Sequence, residues 1–118
     1  MPSSRLHILK LQKLLQANKP FLKSIAHSKT HPKRRSILKQ AKNIQLRLLQ
    51  QLLSAFIRQE IAVSKHFETR VKKSKKFKFL ITHFTKIKSQ QHLRENLLTV
   101  SSILPLFVKF ILKKRKNE

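Results

Sequence analysis

Six cationic side chains fall within nine consecutive residues and form the largest cluster of charged side chains in the chain. This basic run consists of Arg70, Lys72, Lys73, Lys75, Lys76 and Lys78. Cations at such spacing neutralise phosphates and release the counterions condensed around a nucleic acid. Lysine dominates the run, and an ammonium group is a point charge that suits phosphate contacts better than base reading. The basic run therefore predicts phosphate binding with little sequence specificity.

Two more groups of residues join the basic run as candidate nucleic-acid contacts. Lys33, Arg34 and Arg35 form a second basic cluster at the start of the strongest helical pattern. Phe79 follows the basic run, and on a helical wheel it falls on the lysine-rich face formed by Lys65, Lys72, Lys75, Lys76 and Lys86. An aromatic ring there either stacks on an unpaired base or packs against the C-terminal segment or a second subunit. We favour packing for Phe79 and keep stacking as the alternative.

The charge balance of the whole chain indicates the same kind of partner. Lys and Arg total 28 against four Glu and no Asp, so the 118 residues carry a net charge of +24. So few acids leave the positive charge without internal compensation. A compact body with this charge repels itself unless a polyanion lies against it. Nucleic acid is the first candidate partner, and an anionic membrane surface is the second.

Catalytic and cofactor chemistry are not expected. The carboxylates are Glu60, Glu68, Glu95 and Glu118. They form no close pair for acid–base catalysis. The absence of Cys disfavours a structural zinc site. His27 and His31 have i, i+4 spacing, but Pro32 breaks the helix that a metal site of this geometry would need. The absence of Gly removes the glycine-rich phosphate loop. We therefore expect no enzyme activity, no metal and no cofactor.

The same composition predicts an all-α fold, a small bundle of three to five helices with a long central helix and basic tails. Tight hairpin turns favour Gly with Asn or Asp, and this chain has neither Gly nor Asp. We divide the chain into a basic N-terminal extension over 1–29, a helical basic core over 30–90, and a C-terminal part over 91–118. The C-terminal part comprises a connection, an apolar segment and a basic tail.

Hydrophobic periodicity predicts where the helices lie. A short helix is expected through Gln16, before Pro20 interrupts it. The central helix is expected over 33–62, with Pro32 near its start and His31 or Thr30 as cap. Its apolar residues form two stripes, so it should be packed from two sides. A second long helix is expected over 65–86 after Ser64 as N-cap. Residues 89–102 are expected to form a polar connection.

The apolar segment near the C-terminus has two possible roles. It spans residues 103–112, too few to cross the hydrocarbon core of a bilayer, and no transmembrane helix is predicted. Either it covers the core of the preceding helices, which we favour, or it enters an anionic membrane interface held by the basic residues 113–116. The candidate membrane residues are Ile103, Leu104, Leu106, Phe107, Phe110, Ile111 and Leu112. Pro105 disfavours one straight helix from 97 to 112.

Several of these motifs, in this order, resemble a family of small basic proteins encoded by adintoviruses and related polinton-type DNA viruses. The matching pieces are His31-Pro32-Lys33-Arg34-Arg35, Ile37-Leu38-Lys39-Gln40-Ala41, Val63-Ser64-Lys65, the Lys-rich stretch 72–80, Leu97-Leu98 and Ile103-Leu104-Pro105-Leu106. The resemblance covers about residues 30–112. It implies a virion protein similar in role to adenovirus-type basic core polypeptides, which condense the genome. DNA is favoured over RNA as the partner, and the sequence leaves that choice open. It also implies capsid proteins as partners, a location in the virion or host nucleus, and membrane activity in some relatives.

The resemblance has limits, and one further alternative remains. Ser101-Ser102 stands where the family has Gly-Gly, and residues 1–29 have no counterpart. A small basic ribosomal protein, including a mitochondrial one with an N-terminal targeting segment, shares the same composition. The oligomeric state is left open.

Overall fold

The computed structural model describes residues 2–57, 65, 68, 69, 73, 84 and 86–116, with side chains described between Leu9 and Lys113. The helices are α1 (Pro2–Ala17), α2 (Lys19–Ala26), α3 (His31–Gln40), α4 (Asn43–Ile57), α5 (Gln90–Thr99) and α6 (Leu104–Lys116). No strand occurs among these residues, which confirms the all-α fold class. The described residues alone form six helices, more than the three to five expected.

Helix α4 lies at the centre of the core and is packed from two sides, by α1 and by α5. Leu48, Leu49 and Leu52 from one predicted stripe are buried, and so are Leu46 and Leu53 from the other. The two-sided packing follows from the two apolar stripes, as predicted. The remaining helices are joined mainly by α2, which packs most extensively on α6 and also contacts α1 and α3.

The prediction of a single helix over 33–62 is wrong, because the helix is interrupted at Ala41 and Lys42, between α3 and α4. Ala41 adopts an extended backbone, with φ −65° and ψ 140°. The Gln45 side chain then accepts a hydrogen bond from the Lys42 amide at 2.8 Å, as in the reciprocal half of a capping box. The apolar period continues across the break, so periodicity alone does not reveal it. Residues 58–62 lie outside the described residues.

Most of the predicted N-terminal extension, from Pro2 to Ala26, forms two helices that contribute to the core. Helix α1 ends at Ala17, and Pro20 lies in the first turn of α2, so the predicted interruption is confirmed. Helix α2 was not anticipated from the sequence. The two helices bury Leu11, Leu15 and Leu22, so this segment supplies apolar surface as well as charge.

The segment predicted as a polar connection is instead helix α5, preceded by Ser89 as N-cap. The Ser89 side chain accepts a hydrogen bond from the His92 amide at 3.4 Å. Leu93 and Leu97, four residues apart, are fully buried on one face of α5. These two leucines, together with the partly buried Leu98, pack α5 on the core although its remaining residues are polar.

The apolar C-terminal segment forms the first part of α6, at an angle of 95° to α5. Pro105 lies in the first turn of α6, so the expected absence of one straight helix over 97–112 is confirmed. None of the described helices is by itself long and apolar enough to cross a membrane, and only the bent pair of α5 and α6 reaches that length and composition. The predicted helix over 65–86 lies outside the described residues except at six positions.

Arg47 and Gln50 of α4 hold the segment that leads into α5. Arg47 Nη1 donates to the Ile87 carbonyl at 3.0 Å and to Gln50 Oε1 at 2.8 Å, and Nη2 donates to the Lys88 carbonyl. Gln50 Nε2 donates to the carbonyls of Phe84 at 3.1 Å and Ile87 at 2.9 Å. The Ile87 and Lys88 carbonyls lie outside any described helix, and these bonds satisfy them. All the bonds to backbone carbonyls connect residues more than thirty positions apart.

Replacing Arg47 by Met is expected to lower the free energy of unfolding by about 1.5–3 kcal/mol, the usual range for hydrogen bonds that involve a charged group. Methionine keeps much of the apolar stem, so the loss reports the hydrogen bonds. Urea denaturation measures it. Lys13→Met removes an exposed cation from α1 and serves as the control, and an equal effect of both substitutions would contradict the role of Arg47.

Candidate nucleic-acid interface

Lysine and arginine occupy different environments in this fold. Every lysine whose side chain the structure describes is exposed, and these lysines come from α1, α2, α3, α6 and the segments between helices. Arg35 is exposed as well, whereas Arg34, Arg47 and Arg94 are partly buried. A guanidinium group is less strongly hydrated than an ammonium group and therefore costs less to bury. This explains why the partly buried cations are arginines. The cations free to meet a phosphate are therefore mostly lysines.

The partly buried arginines donate to backbone carbonyls beyond the helices on which they lie. Arg94 Nη2 of α5 donates to the carbonyl of Ala41, at the break after α3, at 2.9 Å. Arg34 Nη1 of α3 donates to the carbonyl of Ser28, just after α2, at 3.4 Å. The Nε atoms of both arginines are buried without a hydrogen-bond partner. Arg34 was predicted to contact phosphate, but one amino group of its guanidinium instead donates to the Ser28 carbonyl.

The other two residues of the predicted second cluster, Lys33 and Arg35, are exposed at the N-terminal end of α3. Thr30 is the N-cap, and its hydroxyl accepts a hydrogen bond from the Lys33 amide at 3.4 Å. The N-terminus of a helix carries partial positive charge, which usually attracts acidic side chains. None of the described helices has an acidic residue in its first turn. The start of α3 therefore combines helix dipole and cations, both of which favour an anion.

Arg35 also lines a surface concavity of about 490 Å³ with Lys39. The two residues are four positions apart, so they are neighbours on one face of α3. Pro32, Ser36 and Gln40 complete the described lining. Lys39 was not among the predicted contacts, and its i, i+4 relation to Arg35 was the signal that could have found it. We call Lys33, Arg35 and Lys39 the α3 cluster.

The basic run falls mostly outside the described residues. The predicted contacts that lie outside them are Arg70, Lys72, Lys75, Lys76, Lys78 and Phe79. Lys73 is exposed, and its amide donates to the Thr69 carbonyl at 3.2 Å. The contribution of this run to binding stays a prediction.

A second basic concavity, also of about 490 Å³, lies between α1, α2 and α6. We call it the α1–α2–α6 groove. Lys19 and Lys23 of α2 and Lys109 and Lys113 of α6 line it. Each pair has i, i+4 spacing and therefore lies on one helix face. The sequence interpretation missed this site, because it depends on α2 packing against α6.

Most of the candidate membrane residues are buried or partly buried against the core. Leu104, Phe107 and Ile111 are buried, and Ile103, Phe110 and Leu112 are partly buried. Leu106 is 45% exposed. The apolar face of α6 thus packs on α2, and most of it is not available at the surface.

No metal site is formed by the side chains that are placed, since no group of three or more His, Cys, Asp or Glu is arranged to hold an ion among them. No family model, curated protein or solved structure matches this chain. Its function is therefore inferred from its own charges and geometry.

Proposed function

We propose that this chain binds nucleic acid through its phosphates, without sequence specificity, and compacts it. The exposure of every described lysine supports this most directly. With a net charge of +24 and four acids in total, the chain has few internal partners for these ammonium groups. A polyanion supplies the missing negative charge, and release of its counterions drives binding.

Compaction follows from the distribution of the cations. Exposed lysines lie on four helices that face different neighbours, so phosphate contacts are not limited to one helix. The net charge of +24 balances the phosphates of about 12 base pairs, because each base pair carries two. Charge-neutral complexes lose their mutual repulsion and associate. The role proposed is that of a basic core protein in a DNA-virus particle, in the virion or host nucleus, as the sequence resemblance implies.

Two duplexes of equal length and unrelated sequence are expected to bind with nearly equal affinity at low salt, because ammonium–phosphate contacts carry no base information. Fluorescence anisotropy measures the affinities. Light scattering during a titration should peak near one chain per about 12 base pairs, the point of charge balance. A chain that stays monomeric and binds neither duplex nor single strands at low ionic strength would refute the proposal.

Replacing Lys33, Arg35 and Lys39 together by Gln is expected to reduce the magnitude of the salt slope for duplex binding by about 0.9 for each lost phosphate contact. The loss should be the same on every sequence tested. Ser36→Ala with Gln40→Ala alters the same concavity without changing charge, and it should leave the slope unchanged. An unchanged slope in the triple variant would exclude the α3 cluster as a contact surface.

Membrane action through residues 103–116 is the second hypothesis, and it requires buried residues such as Leu104 and Phe107 to leave the core. Dye release from anionic liposomes that depends on this segment, without DNA binding near physiological salt, would support it. Co-sedimentation with ribosomes would support the ribosomal or mitochondrial ribosomal alternative.

A further inference from the structure

The α1–α2–α6 groove joins two kinds of surface that rarely meet on a solvated basic face. Its ammonium groups, from Lys19, Lys23, Lys109 and Lys113, are exposed. Leu15 and Leu112 also line it, the first 6% exposed and the second partly buried. The volume of about 490 Å³ is in the range of sites that enclose a small organic group. The groove therefore offers charge and apolar contact at the same place.

We propose that this groove binds single-stranded nucleic acid, with phosphates on the four lysines and a sugar or base against Leu15 and Leu112. The inference rests on the proposed function and names the form of polymer that this groove accepts. No carboxylate is among the described residues of the lining, so phosphate is the group that relieves repulsion between the lysine pairs.

The shape of the groove distinguishes a single strand from a duplex. A duplex is stiff over about 150 base pairs and keeps its bases stacked inside, so it cannot follow a small concavity or present a base to its floor. A single strand bends freely and exposes its bases, and proteins hold it in basic grooves whose side chains, usually aromatic ones, contact the bases. In this groove Leu15 and Leu112 provide the apolar contact. The concavity at the α3 cluster has Pro32 as its apolar residue and no leucine among its described lining, so it should discriminate less between the two forms.

The decisive experiment compares two double variants on two ligands. Lys23→Gln with Lys109→Gln removes one cation from each wall of the groove, and Lys33→Gln with Lys39→Gln removes two cations from the α3 cluster. Anisotropy gives the affinity of each variant for a short oligothymidylate and for a duplex of equal length near 100 mM salt. Circular dichroism checks that both variants keep their helices.

The groove variant is expected to lose at least about tenfold in affinity for the single strand, since each lost phosphate contact forfeits its released counterion. Its affinity for the duplex should change several-fold less. The α3 variant should bind the single strand and the duplex more weakly than the unsubstituted chain, by a similar factor for each. Lys23→Arg with Lys109→Arg keeps both charges and should retain single-strand binding.

Equal losses of the groove variant on both ligands, or a single-strand loss no larger than that of the α3 variant, would overturn the inference and leave the proposed function standing. Loss of single-strand binding in the arginine variant would overturn it too, because charge would then not be the cause. Failure of the unsubstituted chain to bind either ligand would instead remove the proposed function itself.

Discussion

The affinity of this chain for duplex DNA is expected to fall by about three to five orders of magnitude when salt rises from about 50 to 200 mM. That range corresponds to about six to ten phosphate contacts. The exposed lysines of α1, α2, α3 and α6 are numerous enough to supply them. A plot of log affinity against log salt should be linear, with a slope between about −5 and −9.

The salt series separates phosphate contact from other causes of binding. A slope near −1 together with tight binding would mean that few phosphates are contacted and that the exposed lysines are only a solvated surface. Repeating the series with the groove variant and the α3 variant assigns parts of the slope to each site, because each lost contact lowers its magnitude by about 0.9.

Replacing Phe107 by Ala is expected to destabilise the fold by about 3–5 kcal/mol, the usual cost of truncating a buried aromatic ring. Phe107 is 0% exposed in α6, and its ring lies 5.8 Å from that of Phe56, centroid to centroid, at an interplanar angle of 59°. Small domains have a total stability of about 5–15 kcal/mol, so this loss would unfold a sizeable fraction of the chain at moderate urea. The free energy of unfolding in urea measures it.

Leu106→Ala on the same helix is the matched control and should change stability by less than about 0.5 kcal/mol, as exposed substitutions usually do. If Phe107→Ala were as mild as Leu106→Ala, α6 would not be covering the core. The apolar segment would then be free to enter a membrane interface, and dye release from anionic liposomes would become the next measurement.

The division between lysine and arginine suits a protein that must fold under its own repulsion. The arginines at 34, 47 and 94 satisfy backbone carbonyls at breaks between helices. A backbone carbonyl that is withdrawn from water needs a hydrogen-bond donor, and the guanidinium groups supply it at these positions. The lysines stay at the surface, where a polyanion can neutralise them. Charge that would only destabilise the fold is in this way partly used to hold the helices together.

Local signals predicted three helix boundaries that a capping residue or a proline marks, but Ser89, the N-cap of α5, was not recognised. Thr30 before His31-Pro32, Pro20 after α1 and Pro105 at the start of α6 all fall at helix ends. The break between α3 and α4 carries no Gly, Pro or Asp. It is stabilised by Gln45 nearby and by Arg94, whose position 53 residues after Ala41 no local pattern reveals. Helix α5 was missed because polar residues outnumber its two buried leucines.

Composition alone predicted that this chain is helical and showed that it is strongly cationic, without Cys, Gly or Asp. Those properties depend only on which residues are present. Tertiary structure alone decided which arginines are taken into the interior and that the lysine pairs of α2 and α6 line one groove. Periodicity tells which face of a helix is apolar, but burial of apolar surface is non-directional and does not name the partner helix. Which helices pair is decided by close packing of the whole core, and the pairing of α2 with α6 brings the four lysines of the groove together.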